Sequence, residues 1–330
     1  MNYSKQVYDK AWEILAGRRQ AAQRSAAERR EQIRRAIPEV EKIERQMAAQ
    51  AASVAKIVIA DPQNAGQKIE ELAQENLRLQ QKRSELLAGA GFPPDCLEEH
   101  YTCAACQDTG YIAANMCECM RLLLRREAAA SLERSSPFVS RCTFETFSLH
   151  YYQDAPDESG ASPRGKMRNN LEYCQRWSTQ FTPKSESVLM AGPAGVGKTH
   201  LSLAMAGRVA AAGYGVVYTP IQRMMDALEG EKFSRDKKYL GASDTYLDCD
   251  LLVLDDLGTE FASSFTSAAL FNILNTRLVE ERPTIISTNL ELAEINARYH
   301  ERMASRLIYG YKMLRLSGDD IRGIKKESTQ

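Results

Sequence analysis

The sequence predicts an α/β protein: a parallel sheet carrying a phosphate-binding loop and flanked by helices, preceded by an α-helical hairpin and a small cysteine-bearing module. Three observations point there. Residues 1 to about 90 have the composition of long helices. Four cysteines crowd into residues 103–119. From residue 167 onward, apolar runs of strand length alternate with helical patterns around the octapeptide Gly192-Pro193-Ala194-Gly195-Val196-Gly197-Lys198-Thr199.

The first stretch is rich in Ala, Glu, Gln, Lys and Arg, and Gly17 is its one glycine before Gly66. Ile33, Ile37, Val40, Glu44 and Met47 follow a 4-3-4-3 spacing, and Ile69, Leu72, Asn76, Leu79, Arg83 and Leu86 a 3-4-3-4-3 spacing. Both are seams of period 3.5. Pro38 starts a helix or kinks one, and Asp61–Gly66 reads as a turn. The expectation is an antiparallel, coiled-coil-like hairpin with one helix before it. The seams are short and contain polar residues, which argues against a long dimeric coiled coil. Composition then divides the chain into 1–90, a helical region whose position suggests partner binding; 91–135, the cysteine module and a basic connecting helix around Arg121–Arg126; 136–168, a linker; and 169–330, the α/β domain.

Cys103-x-x-Cys106 and Cys117-x-Cys119 are two thiol pairs separated by ten residues. A short loop that brings the pairs together makes a tetrahedral S₄ site, which favours Zn²⁺. Gly110 permits the turn between them. Cys96 and His100 are substitute ligands. Redox-active or plain thiols and an iron–sulfur cluster stay open as alternatives. A segment this short and this poor in apolar side chains needs a metal to fold, so the role expected is structural.

In the α/β portion, Ser187–Ala191, 215–219, 251–255 and Thr284–Thr288 read as buried parallel strands. The octapeptide fits G-x-x-x-x-G-K-[ST], directly after the first strand and before an amphipathic helix at 201–211. Its glycines let backbone N–H groups turn toward phosphate oxygens, Lys198 supplies charge to the β- and γ-phosphates, and the Thr199 hydroxyl is a Mg²⁺ ligand. Residues 192–199 and the adjoining His200 are therefore the candidate nucleotide-binding residues. Leu251–Asp256 is a buried strand ending in two carboxylates, at the end where ligands lie in open α/β sheets. Asp255 is suited to hold Mg²⁺ together with Thr199, and Asp256 to polarise the attacking water. Ile285–Asn289 ends a third strand, where the Asn289 amide can orient water or touch the γ-phosphate.

In this order and spacing, the loop, the Asp-Asp strand and the Thr-Asn strand resemble an AAA+ ATPase. Asp255-Asp256-Leu257-Gly258 followed by Glu260, Ser287-Thr288-Asn289-Leu290, and Thr143-Phe144-Glu145-Thr146-Phe147 resemble the DnaC/DnaI-type bacterial helicase loaders and the related transposition ATPase IstB. The cysteine cluster with Asp108-Thr109-Gly110 is similar to the DnaI side in particular. The resemblance covers about residues 100–324. It implies ATP, Mg²⁺ and Zn²⁺ as cofactors, a zinc-binding module that engages a replicative helicase, a reduced lid after the sheet, and self-association through the AAA+ domain. It further implies a catalytic arginine acting on a neighbouring subunit, Arg306 before Arg302, and a sensor arginine at Arg322. Asp256 stands where many AAA+ ATPases have Glu; a carboxylate set back by one bond, about 1.5 Å, implies slow hydrolysis.

The resemblance implies ATP-dependent loading of a hexameric replicative helicase onto single-stranded DNA, with an IstB-like transposition ATPase or a nucleotide-regulated adaptor as alternatives. Lys232, Arg235, Lys237 and Lys238, with Phe233 and Tyr239, are candidate DNA contacts. The 330 residues balance 43 basic against 43 acidic side chains. Neutrality argues against tight, autonomous DNA binding. No run of 18 apolar residues exists, which excludes a membrane-spanning helix, and the charged start without a signal-peptide core leads to the expectation of a cytoplasmic protein.

Overall fold

The computed structural model describes residues 3–60, 65–156, 160, 162–233 and 241–322. The chain divides into two compact units, one from Glu13 to Cys119 and the other comprising the residues through Trp12 together with those from Met120 onward.

The Glu13–Cys119 unit contains most of α1 (Lys5–Ala36), then α2 (Pro38–Ala60) and α3 (Ala65–Gly89). Pro38 opens α2, whose first turn carries Glu39 and Glu41 beside the positive end of the helix. Along α3, the seam positions Ile69, Leu72, Asn76, Leu79, Arg83 and Leu86 are withdrawn from solvent. Two of the polar seam residues pair across the hairpin, Arg83 lying 3.7 Å from Glu44. Ile33, Val40, Leu87, Cys96 and Leu97 form a small core beside them. Residues 61–64 of the expected turn lie outside the described residues. After the helices comes a two-stranded antiparallel hairpin, β1 (Tyr111–Ile112) and β2 (Asn115–Met116), and α4 (Glu118–Ser135) leads onward.

The second unit begins its α/β portion with α5 (Pro163–Thr179), capped by Ser162, whose hydroxyl accepts the Gly165 N–H. Then follow β3 (Ser187–Ala191), α6 (Lys198–Ala211), β4 (Val216–Pro220), α7 (Ile221–Phe233), α8 (Ala242–Asp248), β5 (Leu251–Leu257), α9 (Ser264–Val279), β6 (Thr284–Thr288), α10 (Leu292–Gly310) and β7 (Tyr311–Arg315). The five strands form one parallel sheet in the order β4-β5-β6-β3-β7. Strand alternation sorts the side chains into two cores. Val188, Met190, Val253 and Ile285 meet α5 and α6 on one face. Leu189, Leu252, Leu254 and Ile286 meet α7 to α10 on the other. Both faces are covered, which is why the central strands read as continuous apolar runs.

Strand β7 is absent from the four strands read in the sequence. Only Tyr311 and Leu314 of its five residues are buried, and it follows α10 without a turn, so its alternation merges with the helical pattern before it. Arg277 on α9 is fully buried and has no carboxylate partner among the described residues. Its guanidinium donates to Thr284 Oγ1 and to the carbonyls of Tyr246, Leu247, Cys249 and Pro283, tying α9 to the end of α8 and the start of β6.

Candidate active site

The phosphate loop joins β3 to α6 and is enclosed by segments far away in sequence. Gly197 caps α6 at φ 93°, and a Cβ there would lie 2.9 Å from the Phe147 ring and 3.0 Å from the Tyr152 hydroxyl. At Gly195, φ 79°, a Cβ would fall on the Asp320 carboxylate. Only glycine combines these dihedrals with such close neighbours. The Tyr152 hydroxyl donates to the Val196 carbonyl at 3.0 Å, and the Ile321 N–H to the Gly195 carbonyl at 3.2 Å. Lys198 is buried, and its Nζ donates to the Gly192 and Pro193 carbonyls at 2.7 and 2.6 Å. Burial lowers its pKa, against the pull of the Asp256 and Asp255 charges.

Asp255 is the centre of a buried network. Its Oδ1 accepts hydrogen bonds from Thr199 Oγ1, at 3.1 Å, and from the Ser287 hydroxyl, and its Oδ2 accepts from the Tyr218 hydroxyl at 2.7 Å. Ser287 Oγ in turn accepts the Asp256 N–H at 2.9 Å. Strand order explains the arrangement. β6 lies between the loop strand β3 and β5, so a hydroxyl on β6 bridges the gap. Thr199 and Asp255, expected to share Mg²⁺, are thus side by side and offer the hard oxygen donors that this ion takes.

Asp256 turns outward at φ 58°, a left-handed conformation uncommon for a non-glycine residue. Partial desolvation and then the Asp255 charge raise its pKa, while Lys198 and Arg322 oppose the rise. Arg322 also disfavours the charged form of Lys198. Lys198, Asp255, Asp256 and Arg322 therefore form one electrostatic group. Asn289 is exposed at the end of β6, and Arg302 and Arg306 are exposed one turn apart on α10. His200 faces the preceding segment, its Nε2 lying 2.8 Å from the Thr143 carbonyl and its ring against Phe147. Sequence reasoning missed Tyr218 and Asp320. The polar end Tyr218-Thr219-Pro220, on the strand next to the one bearing Asp255, was the available signal for Tyr218. Asp320 had none, because its contact depends on tertiary packing.

Of the candidate DNA contacts, Arg235, Lys237, Lys238 and Tyr239 lie outside the described residues. Phe233 is exposed, and Lys232 Nζ lies over the rings of Phe233 and Phe265, at 5.5 and 5.1 Å.

The four cysteines converge. The Sγ atoms of Cys103, Cys106, Cys117 and Cys119 all lie within 4.8 Å of one another, with Cys103–Cys117 at 3.8 Å and Cys106–Cys119 at 3.4 Å. Thiolates bound to zinc at about 2.3 Å stand about 3.8 Å apart along the edges of a tetrahedron, so the set fits a metal of that kind. Buried Asp108 holds the first turn, accepting the Thr102 and Cys103 N–H groups at 2.8 and 3.0 Å. Burial acts against the Cys106 thiolate, but hydrogen bonds from Cys119 and the Gly110 N–H outweigh it and bring the thiol to about 7. Burial and the hydrogen bond with Cys106 push Cys119 upward. Cys96 and His100 are not part of the cluster. Cys96 is buried in the helical core, and His100 lies beside Asp95.

A phosphate loop beside the Asp255 network, on a parallel sheet sorted into two cores, defines a nucleotide-binding α/β domain. Residues 168–329 match the family described as IstB-like ATP binding protein. Among curated relatives, the replicative helicase loader DnaC of Escherichia coli is 25% identical over 179 residues, covering 53% of this chain and 66% of the loader. A protein of Pseudomonas aeruginosa, named as an ATP-binding protein of an insertion sequence, is 26% identical over 151 residues, covering 43% of this chain and 54% of that relative. The chain thus spans about half to two thirds of the length of these relatives. The crystal structure of the DnaC helicase loader is 21% identical with a TM-score of 0.45, covering 54% of this chain and 98% of that one. No helix among the described residues is long and apolar enough to cross a membrane.

Proposed function

We propose that this chain is a Mg²⁺-dependent ATPase that loads a hexameric replicative DNA helicase onto single-stranded DNA during initiation or restart of replication. The observation that carries this reading is the convergence of Cys103, Cys106, Cys117 and Cys119 into one ligand set ahead of the ATP-binding domain. Resemblance to the DnaI-type loaders rests on that cluster, and it speaks against a transposition ATPase. The curated relative named as a helicase loader supports the same reading. The helical region 1–90 and the module 91–135 would hold the helicase; 136–168 would link them to the ATPase domain 169–330. Zn²⁺ held by the four thiolates would fix the module's fold.

In the ATPase site, residues 192–199 cradle the phosphates, and Lys198 leaves its loop carbonyls to meet the β- and γ-oxygens. Thr199 and Asp255 would hold Mg²⁺, which neutralises phosphate charge. Tyr218 and Ser287 fix the Asp255 carboxylate. Asp256 and Asn289 position the attacking water. Arg322 senses the nucleotide in its own subunit, and Arg306 stabilises charge on that of a neighbour.

The family match and the insertion-sequence relative favour a second reading, a transposition ATPase acting on duplex DNA with a transposase. The short Asp256 side chain favours a third, an adaptor that hydrolyses little. ATP turnover with and without single-stranded DNA and a replicative helicase separates them. Lys198→Ala is expected to abolish helicase deposition on DNA while leaving helicase binding intact. The absence of both stimulation and a helicase complex would sink the loader reading, and stimulation by duplex DNA with a transposase would establish the second.

A further inference from the structure

Glu260 lies four residues beyond Asp256, in the loop between β5 and α9, and is only 2% exposed. A carboxylate buried this deeply is costly unless donors hold it. Its Oε2 accepts the Gly258 N–H at 2.9 Å, while its Oε1 accepts the Tyr299 hydroxyl and lies 3.5 Å from Arg298 Nε. Arg298 also donates to the Glu260 carbonyl. On the other side, the Thr259 hydroxyl and N–H both donate to the Asp256 carbonyl, at 2.8 and 3.2 Å. One side chain thus ties the turn that carries Asp256 to one turn of α10.

The same helix presents Arg302 and Arg306. Ile295, Tyr299, Met303, Ala304 and Leu307 seat α10 in the core, and Arg298, Arg302 and Arg306 recur every four residues along it. Residues four apart share a face. The grip on Arg298 and Tyr299 is therefore one turn from Arg302 and two turns from Arg306, along a hydrogen-bonded rod. The turn it starts from holds two left-handed residues, Asp256 at φ 58° and Gly258 at φ 106°.

Resting on the reading of Arg306 as acting on a neighbouring subunit, we infer that Glu260 is a positioning residue that couples the Asp256 turn of its own subunit to the placement of Arg306 in the next subunit's site. A role confined to its own subunit's hydrolysis, or to closing the loop, requires nothing of Glu260 in a subunit that does no chemistry.

Mixed assemblies test this. Lys198→Ala subunits do no chemistry but present an intact α10; Arg306→Ala subunits do chemistry but present no arginine. Mixing the two is expected to restore ATP hydrolysis at the junctions they share. Glu260→Gln carried by the Lys198→Ala donor should then lower the restored kcat by about 10²-fold, the order of loss expected from misplacing a catalytic group by about 1 Å, with KM unchanged. Melting temperature and sedimentation of the donor check that it folds and assembles. Should it not fold, Tyr299→Phe in the donor, which keeps the Arg298 pair and removes one donor to Glu260, is expected to lower kcat in the same direction. Undiminished hydrolysis with either donor variant, or loss only when the substitution is carried by the Arg306→Ala acceptor, overturns the inference. Full activity of Arg306→Ala alone overturns the reading beneath it and the inference with it. Impaired Arg306→Ala activity together with an indifferent donor-side Glu260→Gln overturns the inference alone.

Discussion

At the residue scale, Asp256 carries a double burden. It has a left-handed backbone and a raised pKa. A carboxyl whose folded pKa lies above its unfolded value binds more protons in the fold, so its contribution to stability falls as pH rises through that folded value. Asp256→Asn removes the charge and suits the left-handed conformation, which Asn adopts more readily than most residues. The variant should melt at a higher temperature at neutral pH and lose this decline, while turnover drops by about 10²- to 10⁴-fold, the usual contribution of general base catalysis. Thermal melts across pH 3–8 and ATPase assays check both halves. Tyr218→Phe tests the other carboxylate. The loss of one hydrogen bond to a charged group, about 1.5–3 kcal/mol, should appear as weaker Mg²⁺ affinity in a Mg²⁺ titration of the ATPase rate, with nucleotide binding retained.

At the scale of elements, the cysteine module has little apolar content of its own, so metal and fold are expected to rise and fall together. Metal content should be one Zn²⁺ per chain. Chelation or Cys106→Ser should expose the 101–119 segment to protease and leave ATP binding intact. Zinc affinity should weaken progressively as pH falls, because protons compete for all four thiolates, and Cys117 and Cys119 hold theirs more tightly than Cys106; zinc competition titrations at several pH values measure it. The legibility of the elements followed burial. Ser187–Ala191 and Thr284–Thr288 were readable to the residue because both faces of the central strands are covered. The α3 seam from Ile69 to Leu86 was readable because one face is. The half-exposed edge strand β7 was not. Within the site, Lys198, Thr199, Asp255 and Asp256 announce themselves by local spacing, whereas Tyr218, Asp320 and the Glu260–Tyr299 link exist only once distant segments pack.

At the scale of the whole molecule, equal numbers of acidic and basic groups set an expectation for DNA binding. A single chain should hold single-stranded DNA weakly, and binding should become firm when several chains share one strand. Binding isotherms on short and long oligonucleotides at two salt concentrations check this. A short oligonucleotide binding as tightly as a long one would contradict it.

The placement of β3 in the sheet also governs when this protein can acquire its ligand during synthesis. Both neighbours of the loop strand come from far downstream, β6 at Thr284–Thr288 and β7 at Tyr311–Arg315. The Leu316 N–H donates to the Ala191 carbonyl at 2.8 Å just before the loop begins, and Asp320 packs on Gly195. Pairing across 97 residues to β6 and 124 to β7 is slow, because the loop-closure entropy comes before the contacts that reward it. A ribosome must therefore release the chain through β7 and Asp320 before the phosphate cradle has its walls, and nucleotide capture follows the pairing of β3 with β6 and β7.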